Sequence, residues 1–200
     1  AIIMDGNGRW ARSRLLSRSA GHVEGVKNIE RTLGILRDFG VHYVTLYAFS
    51  TENWKRPEDE VEGLMSLAYE YLDEHLIPRL ADPEYPISIR FIGDKSRLDP
   101  SLAEKCLEAE RLSYGRPFLC NVAFNYGGRD EIVHATNAAI ADGHTVITEE
   151  ILSKYLYTSG TPDPELIIRT GGEMRLSNFL LWQCAYAEFL FPTVLWPEFS

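Results

Sequence analysis

At 200 residues, with 45% hydrophobic and 24% charged side chains, the chain can bury one sizeable core and is too apolar for disorder. A formal charge of -9 argues against general attraction to nucleic acid or anionic lipid, so any anionic ligand has to be held by individually placed arginines. The three cysteines, Cys106, Cys120 and Cys184, are odd in number, widely spaced and form no CxxC pair, which points away from a disulfide framework or zinc site and toward a reducing cytoplasm.

A single domain over residues 1–200 is expected from its length; because the chain opens inside an apparent strand, AIIM, and stops just after WPEF, trimming at one or both ends is expected as well. After that strand comes MDGNGRW, where Asp5 stands directly before a glycine-rich turn. Val26, Ile29, Leu33 and Leu36 then recur at helical spacing, with Gly40 as a stop, and HYVTLYAF follows as a strand rich in β-branched and aromatic residues. A polar loop, FSTENWKRP, leads into a helix running from Pro57 to about Pro78, marked by Val61, Leu64, Met65, Ala68, Leu72 and Leu76. The alternation continues with the strand ISIRFI, a helix around Leu102 to Leu112, the strand FLCNVAF, a helix from Asp130 to Ala141 and the strand ELIIR. The most apolar run, Phe179 to Phe191, contains Gln183 and Glu188 and is too polar to span a membrane.

Strands separated by helices predict an α/β fold: one central, mostly parallel sheet of about six strands, flanked by helices. Ligands bind such sheets beyond the carboxyl ends of the strands. That rim collects Asp5 to Arg9, Ser50 to Arg56, Gly93 and Asp94, Asn125 to Arg129, and Arg169 to Ser177.

Gly6, Gly8 and Ala11 fit the loose dinucleotide pattern, but a carboxylate beside a pyrophosphate is repulsive unless a cation lies between them. A magnesium ion, bound through one or two carboxylates together with phosphate oxygens, makes Asp5 a ligand; a helix cap is the alternative. Arg9 and Arg18 bracket the loop and can clamp a diphosphate, whereas Arg12 and Arg14 read as a solvated face. His22 suits a structural or a catalytic role equally, and Trp54 a loop anchor or a stacking surface. Arg169, Arg175 and Ser177, near Gly171 and Gly172, form either a second anion site or a salt-bridge network, with Glu188 a further metal contact. Two anion sites beside an apolar interior point to magnesium-assisted diphosphate chemistry.

The blocks MDGNGRWA, RSAGH, LYAFSTENWKRP, FIGD, NYGGRDEI and IRTGGEMRLSNFLLWQCAYAEF, ending in LWPEF, resemble the cis-prenyltransferase family in the family's order and over nearly the whole chain. The resemblance implies a homodimer that adds isopentenyl diphosphate to an allylic diphosphate such as farnesyl diphosphate, with magnesium as cofactor. It places Asp5 on the metal and the allylic diphosphate, with Gly6, Asn7, Gly8, Arg9, Trp10, Arg18 and His22 around it. Ser50, Glu52, Asn53, Trp54 and Arg56 match a mobile loop that orients substrates, Asn53 and Ser50 serving the reacting ends or proton loss. Arg169, Arg175 and Ser177 match the isopentenyl diphosphate site, and Glu188 a metal or phosphate contact near the dimer interface. An apolar tunnel lined by the Pro57 to Pro78 helix is implied, with Ala48 either leaving room for a long chain or packing on a helix. So is a cytoplasmic protein, peripheral to the membrane that receives its product. Undecaprenyl diphosphate is the expected product. A short-chain synthase, a non-catalytic prenyltransferase-like subunit and, more distantly, a nicotinamide oxidoreductase are the other readings. Family members generally continue past WPEF into an arginine-containing tail.

Overall fold

A computed structural model describes residues 1–200. Six strands form one sheet: β1 (Ile2–Ile3), β2 (Tyr43–Ser50), β3 (Ile87–Ile92), β4 (Phe118–Tyr126), β5 (Leu166–Arg169) and β6 (Glu188–Leu190). Their order is β3-β4-β2-β1-β5-β6, and every neighbouring pair is parallel. All six carboxyl ends therefore face one rim. The inner strands are apolar almost throughout because both faces are covered; in ISIRFI only Arg90 escapes burial.

Seven helices connect the strands: α1 (Asn7–Ser13), α2 (Arg18–Asp38), α3 (Glu58–Glu70), α4 (Ile77–Leu80), α5 (Pro100–Ser113), α6 (Gly128–Ala141) and α7 (Glu149–Tyr155). The main core lies between the sheet and the layer of α2, α3 and α5, around Leu33, Leu46, Phe49, Leu72, Leu102 and Phe118. On the other face Ile3, Ile92, Tyr126, Phe179 and Leu180 pack together, and Leu152 and Leu156 seal α7 against Ala135 of α6. The closing LWPEF segment folds back on α2: buried Trp196 donates its indole N–H to the Gly25 carbonyl at 2.7 Å. A Cβ on Gly25 would stand 3.0 Å from that indole ring, so glycine permits the close approach.

Four features differ from the sequence expectation. Helix α2 starts at Arg18, well before Val26, because Ser17 caps it by accepting from the Ala20 N–H at 3.2 Å. Its first turns show no apolar stripe since they face the polar rim, and Arg18 and His22 consequently ride on the helix. The Pro57–Pro78 helix passes through a π-helical segment, Tyr71–Leu76, and resumes as α4 up to Leu80. Pro78 falls in the first turn of that restart, directly after the π-helical segment. The FSTENWKRP loop contains a 3-10 helix, Thr51–Lys55. Finally, α7 and the edge strand β6 appear where no periodic signal pointed to them. No helix is long and apolar enough to cross a membrane.

Candidate active site

The site grows from the end of β1. Asp5 is fixed by its backbone: its N–H donates to Thr170 Oγ1 at 3.0 Å, and its carbonyl accepts from that hydroxyl at 2.7 Å and from Trp196 N–H at 3.0 Å. The chain then turns into α1 through Gly6 at φ +113°, a left-handed conformation that side chains rarely adopt. The Asp5 carboxylate accepts from Arg169 at 2.8 Å and from Arg9 at 3.3 Å. Burial pushes its pKa up, but the Arg169 guanidinium, followed by that of Arg9, outweighs burial and holds the group below the usual carboxylate range. Arg169 is itself buried and also donates to Ser177 Oγ at 2.7 Å and the Arg175 carbonyl at 2.6 Å.

Across the first loop, Glu60 at the start of α3 accepts from Arg18 at 2.8 Å and from Arg56 at 2.7 Å. Glu60 escapes notice in the sequence because it sits in an acidic helix start; its spacing of four from Arg56 is the available signal. Arg9, Arg12, Arg18 and Arg56 border a polar hollow of about 480 Å³ together with Gly6, Asn7 and Gly8. Arg14 turns away to pair with Glu198 and lies over the Trp10 ring at 4.4 Å. His22 is held neutral: burial first, then Arg56 and Arg18, lower its pKa to about 4 against the pull of Glu60. Its Nε2 and the Oδ1 of Asn7 are buried at this rim without a partner.

The third wall is the 3-10 turn after β2. Asn53 Oδ1 accepts from the Ser50 N–H at 3.0 Å, which pins Asn53 beside Ser50 in a reciprocal cap. Trp54 anchors the turn: its indole N–H donates to Asn125 Oδ1 at 2.7 Å, its ring meets Phe49 edge-on at 5.0 Å, and Arg97 covers it at 4.9 Å.

Between these walls a cavity of about 370 Å³ opens. Its polar end holds Asp5, His22, Ser50, Asn53, Arg56 and Arg169, and its deep end is closed by Leu72, Leu76, Phe91, Leu102 and Cys106. Ala48 sits where the β2–β4 register shifts and is exposed along the cavity wall rather than packed away. Thus Asp5, Arg9, Arg169 and Ser177 converge, as do Arg18, Arg56 and His22. Trp10 Nε1 is buried without a partner, and Arg175 directs its exposed guanidinium to Glu173. Glu188 is not brought to Asp5 within this chain: it pairs with Leu166, three residues back from Arg169 along β5, or about 10 Å from the rim. No three His, Cys, Asp or Glu side chains gather into a metal cage. A lone carboxylate flanked by arginines fits a magnesium ion only if phosphate oxygens complete its coordination.

Comparison with known proteins identifies the family. The family model described as "Putative undecaprenyl diphosphate synthase" matches residues 3–200. The chain is 51% identical to the isoprenyl transferase of Fusobacterium nucleatum over 204 residues, covering 100% of this chain and 86% of that protein. With the isoprenyl transferase of Bacillus subtilis it shares 48% over 208 residues, 100% of this chain and 78% of the other. Among solved structures, lavandulyl diphosphate synthase from Lavandula x intermedia in complex with dimethylallyl diphosphate superposes with a TM-score of 0.93 at 34% identity, covering 100% of this chain and 88% of that one. A probable undecaprenyl diphosphate synthase from Campylobacter jejuni gives 0.79 at 37%, covering 89% and 83%. The chain is therefore a cis-prenyltransferase of the undecaprenyl diphosphate synthase family of isoprenyl transferases.

Proposed function

We propose that this enzyme is magnesium-dependent and condenses isopentenyl diphosphate with an allylic diphosphate, farnesyl diphosphate in the first instance, to build a long cis-polyprenyl diphosphate of the undecaprenyl class. The observation that carries the reading is an apolar cavity whose mouth is ringed by Asp5, Arg56, Arg169 and Ser177. The lavender enzyme, with dimethylallyl diphosphate bound, supports an allylic diphosphate as substrate class.

Arg9, Arg18 and Arg56 grip the allylic diphosphate in the polar hollow while its hydrocarbon enters the cavity. Arg169, Arg175 and Ser177 take the second diphosphate. Charge develops on the leaving diphosphate as the allylic carbon–oxygen bond breaks, and the guanidiniums stabilise that charge because they are already in place. The terminal alkene of isopentenyl diphosphate then forms the new carbon–carbon bond and a proton is lost; Ser50 and Asn53 position the reacting ends at the mouth. A magnesium ion held by Asp5 and diphosphate oxygens would supply further neutralisation of the leaving group. Leu72, Leu76 and Phe91 at the deep end shelter the hydrocarbon tail from water.

A homodimer in the cytoplasm, handing its product to a membrane, completes the reading. Exposed Phe189 and Leu190 on edge strand β6, with Leu166 beside them, support a partner on that edge. The test is incubation with radiolabelled isopentenyl diphosphate, farnesyl diphosphate and magnesium, with and without chelator, followed by sizing of the products. Chelator-sensitive incorporation into chains of about ten to twelve isoprene units is expected, the cavity depth bounding what it can shelter. Absence of incorporation with several allylic primers overturns the reading, and short products overturn the chain-length part alone.

A further inference from the structure

We propose that Asn178 is a positioning residue that ties the second anion site to the turn bearing Asn53, an inference that rests on the proposed reading of that site as the isopentenyl diphosphate subsite. Asn178 directly follows Ser177, whose hydroxyl accepts from Arg169 at 2.7 Å. Both residues are left-handed, at φ +50° and +66°, and asparagine is among the few side chains that tolerate this conformation.

Three hydrogen bonds occupy Asn178. Its carbonyl accepts from the Gly128 N–H at 2.7 Å and its Oδ1 from the Arg129 N–H at 2.9 Å, so two contacts fasten it to the first turn of α6. Its amide nitrogen reaches the other way and donates to Glu52 Oε1 at 2.9 Å. Glu52 and Asn53 are consecutive in the 3-10 turn, and Asn53 is held in turn by the Ser50 N–H. A connected path thus runs from Arg169 through Ser177, Asn178 and Glu52 to Asn53, joining an anion-binding group to a group at the cavity mouth. Glu52 stays a carboxylate in this position: burial pushes its pKa up, but hydrogen bonds led by that of Asn178 bring it below the ordinary value. Left untethered, that carboxylate would stand as a mobile negative charge near an arriving diphosphate. Held by Asn178, it fixes the turn while the α6 contacts keep the tether rigid.

The experiment exchanges donor and acceptor. Asn178→Asp keeps tolerance of the left-handed backbone and both anchors to α6, but sets a carboxylate against Glu52. Glu52→Gln alone keeps an acceptor for Asn178. The double variant N178D/E52Q restores the bond with its direction reversed, the amide introduced by E52Q donating to the carboxylate introduced by N178D. A coupling of ordinary size predicts that N178D lowers kcat/KM for isopentenyl diphosphate about tenfold, with kcat falling as well as KM rising, and that the double variant recovers most of the loss. A second readout needs no turnover: titration with inorganic diphosphate should change the fluorescence assigned to Trp54 by difference from Trp54→Phe. That change should vanish in N178D and return in the double variant. A wild-type protein that shows the Trp54 change without incorporating isopentenyl diphosphate refutes the substrate reading and leaves the coupling intact. The coupling is overturned if N178D matches wild type, if the double variant is no better than N178D, or if the Trp54 response is absent from wild type or survives in N178D.

Discussion

The two arginine clusters on the rim, the proposed anion sites, are built in opposite ways. Around the first loop the cations are half-exposed: Arg9 and Arg18 keep 45% and 57% of their side-chain surface in solvent and are steadied by Asp5 and Glu60. In the second cluster Arg169 is 6% exposed and both of its terminal nitrogens are already held by Asp5, Ser177 and the Arg175 carbonyl, while its Nε is buried without a partner. The first arrangement can rearrange around a ligand more cheaply than the second, because the Arg9 and Arg18 guanidiniums reach solvent even though Arg9 also holds the Gly171 carbonyl at 2.6 Å. The second is preorganised, and its arginine also holds the sheet rim together. Catalysis and stability should therefore separate at the first site and coincide at the second.

The largest expected effect follows from Arg169→Ala. Turnover should fall by at least about 100-fold, in line with loss of a preorganised charge donor. Unfolding in denaturant should show a loss of about 2–3 kcal/mol, below the full buried-pair range because Asp5 remains 29% exposed. An unchanged unfolding midpoint would break the contrast. Asp5→Asn comes next: it keeps the shape at the rim but removes the charge. Activity should drop about 100-fold and lose its response to magnesium. Some stability should go with it, because Arg169 then lies buried without a counterion; retained magnesium-dependent turnover would remove Asp5 from the metal role.

Smaller and purely functional is Arg18→Ala. Losing one charge-assisted contact should raise KM for the allylic diphosphate about tenfold. Its melting temperature should stay at the wild-type value; a clear fall in melting temperature would erase the distinction between the sites. The smallest effect is on pH. His22 has a folded pKa of about 4, below its ordinary value, so the unfolded chain takes up a proton that the folded one refuses. Stability from this group is thus complete above about pH 6.5 and declines as pH falls toward 4, by about 1 kcal/mol at pH 5 after allowing for partial exposure. Unfolding free energies of wild type and His22→Gln at pH 7 and pH 5 check it, and equal pH dependence in both proteins would refute it.

The fold was legible where burial imposes a period. The inner strands and the helices carrying Val26 to Leu36 and Val61 to Leu76 announce themselves because both faces of the sheet are covered. What stayed hidden has local causes that periodicity does not carry. Arg18 and His22 sit on helical turns that face polar ligand space, so their segment lacks an apolar stripe. Strand β6 is a three-residue edge strand that adds main-chain pairing to β5 alone. The Arg18–Glu60 and Glu52–Asn178 contacts join residues 42 and 126 apart in sequence, so spacing could show only the Arg56–Glu60 half of the first. Asp5, Arg9, Arg169 and Ser177 were legible as one rim because parallel topology sends every strand end to the same side. Their mutual ion pairs were visible only in three dimensions.

Strand β1 is two residues long, yet it is the seam of the sheet, pairing with β2 on one side and β5 on the other. Its partner Leu46 is near in sequence, but Ile168 lies more than a hundred residues further on. Ile2 and Ile3 therefore leave the ribosome well before the strand that completes their pairing, by on the order of ten seconds at ordinary synthesis rates. During that interval the edge that will receive β5 stands open, and Asp5 has only the half-exposed Arg9 as a partner because Arg169 does not yet exist. The nascent chain thus passes through a stage in which the loop bearing Asp5 has no second wall, and only the edge strand β6 remains to emerge after β5 supplies it.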